Sequence, residues 1–173
     1  KYNLQPIAKN TFLFFRMRPH NFPTLRIAQL SALFSTHQNL FSKLMSITKK
    51  EDFYELFSIT VNDFWKNHYT FETVSKKTAK RLSKSFIDLL LINTILPIKF
   101  VYLQHKNNFD EVIFIKLIQQ IASEKNSIIN KFSDLKIKSK NALESQALLE
   151  LKNNYCIKKR CLDCAIGNDL LRK

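Results

Sequence analysis

Three cysteines fall within nine residues near the end of the chain, Cys156, Cys161 and Cys164, in the spacing C-x4-C-x2-C. Cys161 and Cys164 have the separation of a zinc knuckle, in which one tight turn aims two thiolates at a single ion, and Cys156 can supply a third ligand. The run itself holds no fourth. His68 and His105 are the first candidates to complete a Cys3His set, with His20 and His37 behind them, and His68 is preferred. Lys158, Lys159 and Arg160 stand between the cysteines and favour the thiolate form, which serves both metal binding and thiol reactivity. The same spacing opens the ligand run of a plant-type [2Fe–2S] protein, but that cluster needs a fourth cysteine and a loop richer in small residues. A disulfide and three reduced structural cysteines are the remaining alternatives. Zinc is the cofactor that the spacing favours.

The second chemical signal is charge. The chain carries 28 Lys and Arg against 14 Asp and Glu, a formal net charge of +14 with a pI near 9.8. Residues 1–50 contain eight basic residues and no acidic one, whereas residues 51–75 hold five acids against Lys66 alone. Lys76, Lys77, Lys80, Arg81 and Lys84 follow, and wound as a helix at 100° per residue they occupy one arc of about 140°. With Arg16, Arg18 and Arg26 at the entry to a helix, this face is expected to bind nucleic-acid phosphates, DNA or RNA, through charge and free backbone donors. Only six of the 28 basic residues are Arg, which favours backbone contact over base readout. The competing readings are a solvated helix side and, for Arg16 and Arg18, stacking on Phe or Trp. A structural or protein-interaction module is the second function class. A thiol-based redox protein is the third, and it requires an exposed cysteine of depressed pKa.

No catalytic set is visible: there is no paired-carboxylate motif, G-x-S-x-G, H-E-x-x-H or glycine-rich nucleotide loop. Nothing in the sequence points to a small-molecule substrate. Asp88, Asn93, Glu124 and Asn126 lie in or beside apolar helices, where capping and interhelical hydrogen bonding account for them.

The elements that must position these residues are helical. One glycine in 173 residues, where average usage gives roughly 12, leaves little material for primed hairpin turns, bulges or phosphate-cradling loops. That argues against an all-β fold, a Rossmann unit and a P-loop. The expectation is an all-α, single-domain bundle of about seven helices over residues 1–173, closed by a cysteine-containing turn. Pro19 and Pro23 mark a loop into a first helix capped by Asn21, with Leu25, Ala28 and Leu33 and neighbouring Ile27, Leu30 and Phe34 forming a broad apolar face. Helices are expected from Asn39, after the capping-box pattern of Thr48 and Glu51, across residues 75–103, after a candidate cap in Asn108-Phe109-Asp110-Glu111, and over residues 127–132 and 142–153. Residues 60–73, rich in aromatics, read as a connector over the core. Residues 86–103 are strongly apolar but contain Asp88, Asn93, Pro97 and Lys99, so they are expected to form a core helix kinked at Pro97 rather than a bilayer span. Gly167 is expected to end a helix by a tight turn. The clustered cysteines, with no signal-peptide or lipidation pattern, fit a reducing cytoplasm.

Arg16-Met17-Arg18-Pro19-His20-Asn21-Phe22-Pro23-Thr24 with Arg26, Ala28, Gln29 and Leu30, Trp65 with His68 and Tyr69, Asn93 and Thr94 with Pro97, Glu124 with Asn126, and Ser145 to Leu148 leading to the cysteine run with Ile166 and Gly167 resemble the C-terminal part of a bacterial family, domain of unknown function 2851. The resemblance spans nearly the whole chain and brings no activity, substrate or cofactor. It implies an N-terminal region of nuclease-like fold, with carboxylates near a Glu-x-His element, that precedes these residues and would be a partner for them. It also places His20 where the family has a small residue, which makes His20 a weaker ligand candidate than His68.

Overall fold

The computed structural model describes residues 3–8 and 11–172, and among these it is all-α, with two isolated β-bridges and no strand. The α-helical segments are α1 (Pro23–Thr36), α2 (Leu40–Ser46), α3 (Lys50–Leu56), α4 (Asp63–Lys66), α5 (Lys84–Leu90), α6 (Leu96–His105), α7 (Glu111–Gln120), α8 (Ser127–Asp134), α9 (Ala142–Glu150) and α10 (Ala165–Leu171). Helices α5 and α6 are the two ends of one 22-residue helix, Lys84–His105, so nine helices stand among the described residues where about seven are expected.

Two compact units are distinguishable: Lys1–Phe41 with Glu55–Ser83, and Ser42–Tyr54 with Lys84–Lys173. The chain passes between them three times, which leaves no single composition shift to mark a boundary. In the first unit α1 begins at Pro23, whose missing N–H costs nothing at a first turn. Phe22 occupies the cap position and Asn21 does not cap. Leu25, Gln29 and Leu33, spaced by four, form the buried line of α1, while Ile27, Leu30 and Phe34 are exposed, so the apolar face is narrower than its composition implies. Leu56, Phe57, Ile59 and Val61 complete the buried apolar residues of this unit.

The second unit is built on Lys84–His105, with Ile87, Leu91, Ile92, Ile95 and Leu96 buried along it. By length and composition this helix could cross a membrane, its most apolar stretch having a mean hydropathy of 1.8. Two of its charged residues are engaged with protein. Asp88 accepts a 2.7 Å hydrogen bond from the Tyr54 hydroxyl, and Lys99, 4% exposed, donates to the carbonyls of Leu44 and Met45 at the end of α2. A cation on the last carbonyls of a helix satisfies acceptors that have no intrahelical partner. Pro97 does not break the helix. The π-helical turn Leu91–Ile95 immediately precedes it, and the Leu96 N–H donates five residues back to the Leu91 carbonyl, so the shifted ladder carries the helix past the residue that lacks a donor.

Asp110 caps α7 by accepting from the Ile113 N–H, and Asn126 caps α8 by accepting from Ile128 and Ile129. Glu124 receives Asn126 and Gln146 on its two oxygens, so these polar residues cap and join helices. The scarcity of glycine does not spare the chain left-handed backbone: Arg16, Asn39, Lys80, Asn107, Lys136 and Lys159 take φ between 45° and 66°. Asn107, Lys136 and Lys159 sit just past helix ends, each followed by a residue whose N–H reaches five positions back, as in a Schellman motif.

Candidate functional site

Residues 75–83 do not form a helix, so the expected 140° basic face is absent. They run as an irregular strap held to α4 and the turn after it. The Ser75 N–H donates to the Asn67 carbonyl at 2.6 Å, the Thr78 N–H donates to Lys66 at 2.8 Å, and His68 bridges to Val74. The physical reason lies at Lys80. It is 8% exposed, left-handed at φ 45°, and its ammonium donates to the His68 carbonyl and Ser75 hydroxyl while resting 3.5 Å from the centre of the Tyr69 ring. Burial pushes its pKa below the usual lysine value. No carboxylate among the described residues pairs with it; a carbonyl, a hydroxyl and a π face replace water instead. Lys80 is therefore a strut and not a surface cation.

Arg26 is also engaged inside the unit. It donates to Asn21 Oδ1 at 2.7 Å and to Gln29 Oε1 at 2.9 Å, and buried Gln29 in turn donates to the Lys80 carbonyl at 2.8 Å. Half-burial lowers the Arg26 pKa. This relay, Asn21 to Arg26 to Gln29 to Lys80, ties the loop carrying Arg16 and Arg18 to the strap, and it fixes the backbone from which Arg81 projects. Arg18 precedes the 3-10 turn Pro19–Asn21, and Arg16 lies 5.1 Å over the Phe15 ring. Arg16, Arg18, Lys76, Lys77 and Arg81 are exposed, and none is ion-paired with a carboxylate among the described residues. Lys84 is exposed in the second unit, at the start of α5, with its ammonium 5.3 Å from the Tyr54 ring. Lys1 and Lys9, two of the eight basic residues in 1–50, lie outside the described residues.

The aromatic stretch is only partly a core cover. Asn62 caps α4 by accepting from the Trp65 N–H, and α4 presents Phe64 and Trp65 side by side. The Phe64 and His68 rings are stacked at 4.0 Å and 4°. Phe71 meets Trp65 edge-on at 5.1 Å, yet remains 72% exposed. Trp65 and Phe71 also line a half-open, largely apolar cavity of about 1030 Å³ against the small residues Ala28, Ser31 and Ala32 of α1.

The cysteines are free thiols: Cys156 ends the π-helical turn Leu151–Cys156, Cys161 opens a 3-10 turn, and Cys164 is buried at the cap of α10. They line one shallow apolar depression of about 190 Å³ with Tyr155 and Leu170. No three His, Cys, Asp or Glu side chains gather as ion ligands among the described residues. His68 belongs to the other unit, where its Nδ1 is 2.8 Å from both the Phe64 carbonyl and Asn67 Oδ1. His37 Nε2 contacts the Leu56 carbonyl, and His105 lies in the last turn of α6. Gly167 does not end a helix but lies inside α10, pressed against the backbone of Cys161.

Gln29 and Tyr69, noted only in the family resemblance, and Phe71, one of the aromatics of the connector, are not among the site residues expected from the sequence. The signal for Gln29 is a polar side chain on the buried line of α1, and for Tyr69 and Phe71 it is the aromatic density of residues 60–73. No curated protein and no solved structure matches the chain. A family model does match it over residues 1–127, all of the first unit and the second as far as the start of α8, leaving the cysteine run beyond the matched segment. The chain belongs to the family described as protein of unknown function (DUF2851).

Proposed function

We propose that the first unit binds the phosphate backbone of nucleic acid, without reading its sequence, through Arg16, Arg18, Lys76, Lys77 and Arg81. The observation that carries this reading is their common state: five exposed cations, none of them ion-paired with a carboxylate among the described residues, on two segments joined by the relay from Asn21 to Lys80. The unit holds ten basic and three acidic residues, so the surrounding field attracts a polyanion. Lys76 and Lys77 offer point charges, and the three arginines meet phosphate oxygens as readily as base edges, which fits backbone contact.

The test is a titration of the 173-residue chain with short DNA and RNA, duplex and single-stranded, at several salt concentrations. Five phosphate contacts correspond to a slope of log K against log[salt] of about −4, or a loss of roughly 200-fold between 50 and 200 mM salt. Lys76→Ala with Lys77→Ala lowers the steepness by about 1.5. Binding that is absent, or indifferent to salt, refutes the proposal.

A further inference from the structure

The strap does more than display lysines: it displays them beside unsatisfied aromatic surface. Its hydrogen bonds from Ser75 to Asn67 and from Thr78 to Lys66 set Lys76 and Lys77 directly alongside the end of α4. Lys66, bonded to Asp63 at 2.6 Å, holds the Asp63 carboxyl below the usual carboxylate range, with a smaller contribution from Lys77. Phe64 and His68 are stacked on the same helix and turn, and Phe71 leans on Trp65 with most of its ring in water. Other apolar side chains of this unit are as exposed, Phe15 at 81% among them; Phe71 differs in lying within an aromatic cluster beside the lysines of the strap. Cations interleaved with open aromatic faces match a strand whose phosphates and unpaired bases alternate.

We propose that this surface selects single-stranded over double-stranded nucleic acid, with an unpaired base stacked on Phe71, the next directed to the Phe64–His68 stack or the cavity behind Trp65, and the intervening phosphates on Lys76 and Lys77. The proposal rests on the phosphate-binding reading and names the form of polymer that the site takes. A duplex satisfies only the charges, because its bases are stacked on one another and offer no face to a side chain.

The chain is titrated with a 20-nucleotide single strand, as DNA and as RNA, and with the duplex of the same sequence at matched salt. Fluorescence of Trp65, the sole tryptophan, is read alongside anisotropy of the labelled nucleic acid. The single strand binds more tightly and quenches Trp65; Phe71→Ala loses about tenfold on the single strand and under twofold on the duplex, and Phe71→Tyr retains the preference. Phe71 is too exposed for its truncation to unfold the unit. Comparison of the DNA and RNA strands shows whether a 2′-hydroxyl contributes. Equal affinity for strand and duplex, with the salt dependence intact and Phe71→Ala silent, overturns the stacking proposal while the phosphate reading stands. Absence of salt-dependent binding to any of them overturns both.

Discussion

Gly167→Ala separates two opposed effects at one atom. The glycine lies inside α10, where alanine as the better helix former gains about 1 kcal/mol. The added methyl, however, would stand 2.2 Å from the Cys161 carbonyl oxygen, 2.9 Å from its carbon and 3.0 Å from its Cα. Ordinary contact begins near 3.4 Å, and all three atoms belong to the backbone, so no side-chain rotation relieves the overlap. The 3-10 turn and α10 must separate by about 1 Å, an overpacking of the kind that costs roughly 1–3 kcal/mol. The net expectation is a loss of about 0–2 kcal/mol, centred near 1, or about a fivefold rise in the population in which the hairpin of the 3-10 turn and α10 is open. Cys164, 9% exposed, reports on that opening. With Cys156 and Cys161 replaced by Ser, the rate of Cys164 labelling by a thiol reagent should rise by the same factor in Gly167→Ala. An unchanged or slower rate would mean that helix propensity prevails and that the close approach does not constrain the hairpin.

Two further outcomes follow from the same reasoning. Lys136→Gly and Lys159→Gly should each raise the denaturant midpoint, by about 0.5–1 kcal/mol in stability, since both residues are left-handed past helix ends where glycine carries no Cβ penalty. For Lys99, burial holds the native pKa below the ordinary 10.5, so between that depressed value and 10.5 the unfolded chain binds more protons and stability rises with pH. Wild type should therefore gain stability relative to Lys99→Met as pH is raised through that window, and parallel curves in urea titrations would contradict it.

Local chemistry made much of the fold legible. Asp110 and Asn126 precede apolar helical runs, and each caps the helix it announces. The strap was illegible for the opposite reason. Lys76, Lys77, Lys80, Arg81 and Lys84 satisfy a helical period, but the interactions that overrule it are distant in sequence: Gln29 to Lys80 spans 51 residues, and Lys80 reaches back to His68 and Tyr69. A period of charges has no packing energy behind it and gives way to one buried cation. Of the candidate site, the exposed Arg16, Arg18, Lys76, Lys77 and Arg81 could be listed from composition, whereas the withdrawal of Arg26 and Lys80 into the relay depends on tertiary contacts. The cysteine spacing named a geometry that requires a fourth group from elsewhere in the chain, and spacing cannot supply one.

The π turn Leu91–Ile95 has a consequence for how this chain can vary. Such a turn is an α-helix holding one residue more than its hydrogen-bond ladder needs, so the buried faces of α5 and α6 are out of phase by a single position. Removing one residue there would close an ordinary turn, whereas the same deletion anywhere else in Lys84–His105 would rotate half of the buried line into solvent. The segment marks the place in this helix where a change of length by one is cheapest, and where an alignment by apolar period alone will slip.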